Sequence, residues 1–190
     1  MNNENQIEIK LDKRKLIFMI IGSLIFIGLG TWLFIKTPTT SISLFNNPIF
    51  IKIAGILSIL FFGLCLIFLL KKLSDKKPGL IISHTGIHDN SSGISAGNIS
   101  WNDIIEIRLT KVFNQKFLMI IVINPEYYIN KEANIIKRKT KEINYKNYGS
   151  PISISANTLN CNFDELKDML DKKFSEFLTN RNNNSTNISS

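Results

Sequence analysis

A chain of 190 residues has room for a pair of membrane-spanning segments and one further domain of about 100 residues. The 44% apolar fraction is ordinary, but those residues crowd into the first third, which excludes one evenly packed water-soluble domain. The formal charge of +8 is uneven too: residues 1–77 hold a net +6 and residues 78–190 a net +2, so the second part is too near neutral for a nucleic-acid-binding domain.

Composition tempers every cluster read below. The chain holds 33 Ile, 22 Asn and 19 Lys, so a run of lysines carries less meaning here than in a balanced sequence. Cys65 and Cys161 fit no metal-binding spacing and are read as reduced, structural cysteines.

Residues 1–15 form a polar segment, read as a basic cytoplasmic N-terminus, that closes on Lys10, Lys13, Arg14 and Lys15. From Leu16 to Ile35 run twenty residues without an ionisable side chain. At about 1.5 Å per residue a helix of that length spans roughly 30 Å, the thickness of a bilayer's hydrocarbon core. A secretory signal peptide has a shorter apolar region and a small-residue cleavage site, and Lys36-Thr37-Pro38 supplies none. The Lys36–Pro48 connector is short and polar, and a second apolar run follows over 49–70, interrupted only by Lys52. Lys52 lies about one turn from the end of that run, where a cation anchors rather than conducts. Ala54 and Ser58 make one small-residue step for packing the two helices.

Lys13, Arg14 and Lys15 precede the first span, and Lys71 and Lys72 close the second. The connector carries almost no positive charge. Positive charge resists translocation, so both termini are expected in the cytoplasm and the protein in the inner (plasma) membrane, with residues 16–72 as a transmembrane hairpin.

Residues 73–79 read as a linker ending in Pro-Gly, and residues 80–179 as the cytoplasmic domain. Leu80–Ile82 and Ile87–Asp89 suggest short strands, joined through Thr85-Gly86. The small-residue stretch 90–97 reads as a loop. Ile105, Ile107 and Leu109 alternate with polar neighbours as in a half-buried strand, and Phe117–Ile123 reads as a central strand. Asn124-Pro125 opens a helix extending to about Gly149, with Ile129, Ala133, Ile136, Thr140 and Ile143 on its apolar face. Ile152 and Ile154 mark another strand. Asn162 with Glu165 makes a capping-box-like start to a last helix, whose stripe is Phe163, Leu166, Leu170, Phe174 and Phe177. Residues 180–190, rich in Asn and Ser, read as a disordered tail.

Short antiparallel strands closed by an amphipathic helix suggest a small β barrel or curled sheet. Gly86-Ile87, a loop, and then Asn98-Ile99-Ser100-Trp101-Asn102-Asp103-Ile104 resemble the pattern of bacterial pleckstrin-homology-like (PH-like) domains. Nearly the whole chain resembles a family of bacterial two-pass membrane proteins bearing such a domain. The resemblance implies an α+β membrane protein: a transmembrane hairpin, then a PH-like domain with an inserted helix and a C-terminal capping helix. It implies no reaction. PH-like folds elsewhere bind lipids, peptides or proteins.

No catalytic constellation stands out. His84 and His88 would lie some 13 Å apart along an extended strand, too far to converge on a metal. Asp89, Asp103 and the serine-rich loop each have a structural explanation as turn or loop residues. The feature with a functional reading is the basic run on the inserted helix: Lys131, Lys137, Arg138, Lys139 and Lys141 could lie on anionic lipid headgroups. The expected function is therefore a membrane-anchored, non-catalytic interaction or scaffold module, without cofactor, metal or nucleic acid. It would bind a protein, peptide or lipid headgroup at the cytoplasmic face. The alternatives are a membrane-associated enzyme with an unrecognised site and an accessory transporter subunit.

Overall fold

The computed structural model describes residues 6–36 and 47–188. Residues 13–76 make one compact unit, and the residues flanking them on both sides make a second.

The first unit is a pair of helices, α1 (Lys13–Lys36) and α2 (Pro48–Leu73). Both are long and apolar enough to cross a membrane. Only 17% of the most apolar stretch of α1 and 11% of that of α2 is buried, whereas the core helix of a water-soluble domain buries most of its length. Asn47 caps α2 by accepting from the Ile49 N–H, and Pro48 follows at the position where no backbone bond is lost. The connector predicted over Lys36–Pro48 lies outside the described residues except at its two ends.

The helices approach closely at two glycines. A Cβ on Gly30 would lie 3.0 Å from the Gly55 carbonyl oxygen and from the Ser58 Cβ, and one on Gly55 would lie 2.7 Å from the Gly30 carbonyl oxygen. Ser58 donates to the Phe26 carbonyl at 3.1 Å, and Phe26 stacks on Phe62 at 4.4 Å. The predicted small-residue step at Ser58 is therefore used, but its partner across the helices is Gly30. Of the two expected flanking cations, which lie in the last turn of α2, Lys71 is exposed. Lys72 is buried, with its ammonium 3.6 Å from Asp75.

The second unit is α+β. Four short strands, β1 (Ile7–Ile9), β2 (Leu80–Ile82), β3 (Gly86–Asp89) and β4 (Gly97–Ser100), form one antiparallel sheet in that order. A 3-10 turn over Trp101–Asp103 leads to the second sheet, β5 (Ile104–Val112), β6 (Gln115–Val122) and β7 (Ser153–Ile154). The strands thus form two antiparallel sheets, each with its own edges. The last helix, α5 (Phe163–Ile188), packs Leu166 and Leu170 into the shared core and lays Phe174 over Trp101 at 5.8 Å. Its start is the reciprocal cap expected: Asn162 Oδ1 accepts from the Glu165 N–H, and Glu165 Oε2 accepts from the Asn162 N–H.

Three expectations need correcting. The N-terminal segment is not merely a polar flank. Ile7 pairs with Ile82, Glu8 with Ile81 and Ile9 with Leu80, so β1 is the edge strand of the first sheet, and Ile9 joins the core. The helix expected from 124 to 149 is two: α3 (Pro125–Asn130) and α4 (Ile135–Tyr148), with Asn134 capping the second by accepting from the Lys137 N–H. The break resets the helical phase, so the expected apolar face turns out. Ile136 is 78% exposed, while Lys141 is 1% exposed. Finally, the helical backbone of α5 continues to Ile188 through the stretch expected to be disordered.

If β1 is an integral strand, shortening Ile9 should weaken the whole second unit. Ile9→Ala is expected to cost about 2–4 kcal/mol. The check is a lower unfolding midpoint for Trp101 fluorescence in the detergent-solubilised full chain carrying Trp32→Phe.

Candidate functional site

The sequence-predicted candidates fall in three places. His88 lies on β3 opposite Asn98, with Nδ1 at 2.5 Å from the Asn98 Oδ1, while His84 sits in the turn before β3. Asp89 is buried and organises the loop after β3: one carboxylate oxygen accepts from the Ser91 N–H and hydroxyl, and the other accepts from the Ala96 N–H. Trp101 donates its indole N–H to the Ser83 carbonyl at 2.8 Å. Asp103 accepts from the Tyr128 hydroxyl at 2.8 Å. These placements give Asp89, Trp101 and Asp103 work within the fold.

The basic run divides. Lys141 points inward, 3.1 Å from the Glu132 carboxylate and 3.5 Å from the Tyr128 carbonyl. It cannot meet a lipid headgroup, and this expectation is overturned. Lys131 lies over the Tyr128 ring at 4.1 Å and the Tyr127 ring at 5.2 Å and donates to the Asn98 carbonyl at 3.4 Å, an arrangement that occupies its ammonium. Burial holds its pKa below the ordinary lysine value, with the charge of Lys141 acting in the same direction. Tyr128 is shifted upward by burial and by its bond to Asp103, the wrong direction for a tyrosine that gives or takes protons near neutral pH. Arg138 and Lys139 remain exposed and Lys137 is half-buried, beside exposed Ile135, Ile136 and Ile143.

Two of the hollows that open on the domain are walled in part by α5. The larger, about 590 Å³, runs beside β1 and is walled by residues 7–10, by Asn160 and Cys161, and by Glu165, Asp168 and Met169 of α5. The smaller, about 370 Å³, lies between the turn at Ser83-His84, Trp101, and Lys173, Glu176 and Phe177 of α5. Composition gave no sign of the larger hollow, because one wall is the unexpected edge strand.

The backbone of β1 has a direction. The Ile9 carbonyl accepts from the Gly79 N–H on the β2 side, and the Lys10 carbonyl accepts from the Asn160 N–H on the other. Successive residues of a strand alternate, so the Glu8 backbone turns the same way as that of Lys10, toward the groove. Glu8, Glu165 and Asp168 outnumber Lys10 there, leaving an acidic rim. Among the described residues no group of three or more His, Cys, Asp or Glu is placed to hold a metal ion.

No protein-family model, curated protein or solved structure matches the chain.

The Lys141–Glu132 pair yields a test. Although burial alone would raise the pKa of Glu132, the hydrogen bond and charge of Lys141 outweigh it, and the carboxyl sits below its ordinary 4.5. A lowered carboxylate contributes stability that is present above about pH 4.5 and is lost as pH falls through the lowered value. Glu132→Gln strands a buried ammonium and is expected to cost about 3 kcal/mol at neutral pH, with a flatter acid limb. Pairing it with Lys141→Met should recover most of the loss, as read from denaturation curves between pH 3 and 7 (a range spanning the ordinary carboxylate pKa).

Proposed function

We propose that the chain is a membrane-anchored, non-catalytic interaction module. Its α+β domain would lie on the cytoplasmic face of the inner membrane, and the groove beside β1 would receive an extended segment of a protein partner. The observation that carries this reading is the coincidence of a sheet edge and a hollow. β1 closes one side of the four-stranded sheet, the Glu8 backbone turns outward, and α5 walls the space into which an added strand would fit. Strand addition takes its affinity from main-chain hydrogen bonds and its selectivity from alternate side chains. The acidic rim favours a partner segment that is neutral or basic.

The orientation rests on the cations. Lys13, Arg14 and Lys15 begin α1 and Lys71 lies in the last turn of α2, and positive charge flanking apolar helices is retained on the cytoplasmic side. The sequence resemblance to PH-like domains adds support, since such folds elsewhere bind peptides, proteins or lipids.

Two measurements check the reading. A maleimide that cannot cross membranes should leave a Ser175→Cys variant unlabelled in intact cells and label it after lysis, in a background without Cys65 and Cys161. Labelling from outside would invert the orientation. A photo-crosslinking side chain at Met169 should capture a polypeptide in native membranes, and Asp168→Lys at the rim should reduce the yield severalfold. Yield that ignores the rim charge would remove the groove from the account.

A further inference from the structure

The β5–β6 hairpin turns through two residues, Phe113 and Asn114, both at positive φ (45° and 64°). Such a turn matches the twist of the flanking strands, but it favours Asn, Asp or Gly at both positions. An aromatic residue there is a backbone outlier. Phe113 gains nothing from packing in return, being 99% exposed. Lys111 and Lys116 face each other across the hairpin just behind it. The tip is therefore an apolar side chain held away from the fold, collared by two cations.

Its place in the domain gives it a partner. Asn157 donates its side-chain amide to Gln115 Oε1 at 3.1 Å, and Lys116 pairs with Asp164 at 3.1 Å. The next residue along, Thr158, accepts from the Asp12 N–H at 2.9 Å, and Asp12 directly precedes α1. Leu159 in turn pairs with Leu11 and crowds Gly79, through which the chain returns from α2. The tip thus belongs to the end of the domain where the chain leaves for, and comes back from, the apolar helices. The far end of β5, by contrast, lies about 30 Å away at some 3.3 Å per residue.

We propose that Phe113 is a membrane-interface anchor: it inserts at the boundary between headgroups and acyl chains, while Lys111 meets anionic headgroups. Aromatic side chains favour that depth, and basic neighbours add attraction to anionic lipid. This inference rests on the membrane-anchored reading above, but not on the groove. It gives the chain a further hold on the bilayer, beside the two helices.

The test places an environment-sensitive fluorophore on Val112→Cys in the full chain, with Cys65 and Cys161 replaced, in phosphatidylcholine–phosphatidylglycerol vesicles. The same label on Glu126→Cys serves as a distant exposed site, and on Cys65 itself as a site within α2. The expected result at 112 is strong quenching by a shallow nitroxide lipid, with iodide quenching severalfold weaker than at 126. Phe113→Ser should abolish that lipid quenching. Iodide access at 112 equal to that at 126, while Cys65 is quenched by lipid, would overturn the proposal and leave the anchorage intact. Shielding at 112 from both quenchers would mean that protein covers the tip, and would overturn it too. If Cys65 itself escapes lipid quenching, the anchorage fails, and the proposal with it.

Discussion

Backbone pairing between Ile7–Ile9 and Leu80–Ile82 is the constraint on which the rest of the structure depends. These strands flank the two apolar helices in sequence, and their ladder ties both flanks into one sheet. Leu11 with Leu159 and the Asp12–Thr158 bond extend the tie to the last residue before α1. Here the two apolar helices intervene in sequence between the strands that pair. Closing the sheet therefore closes a long loop, whose entropy is met by the core around Ile9, Leu80 and Leu159.

The same pairing creates the groove. Because β1 is only three residues long and sits at the sheet edge, it leaves a groove against α5 rather than a sealed side. Natural sheets keep such edges short to discourage indiscriminate pairing. The acidic rim of Glu8, Glu165 and Asp168 narrows the choice further. At the same end of the domain, the β5–β6 tip spends backbone strain to display an aromatic residue. The inserted helices, in contrast, turn inward: Lys141, Glu132, Tyr128 and Asp103 form a polar cluster that fixes α3 and α4 against the sheets.

Much of this was legible in the residues. The twenty uncharged residues from Leu16 to Ile35, the alternation in β5 and the Asn162–Glu165 cap each follow from local chemistry, and the structure contains the corresponding elements. What escaped was non-local. Ile7-Glu8-Ile9-Lys10 alternates too briefly to declare a strand, and its partner lies beyond two membrane-length helices. The phase of α4 depends on a break at residues 131–134 that no proline or glycine marks, so Lys141 read as solvated when it is buried. The continuation of α5 past Asn180 runs through an Asn- and Ser-rich stretch whose composition reads as a tail, and Arg181 lies 5.9 Å above the Phe177 ring. The groove was invisible for the same reason as β1.

The most direct test of the account is a disulfide across the first strand pair. Glu8→Cys and Ile81→Cys, in a chain lacking Cys65 and Cys161, occupy directly opposed positions whose spacing in an antiparallel ladder suits a disulfide. Mild oxidation in membranes should join them within a single chain, whereas Glu8→Cys with His88→Cys, one strand further away, should stay reduced. Failure of the first pair to join, or equal joining of both, would contradict the shared sheet and everything built upon it.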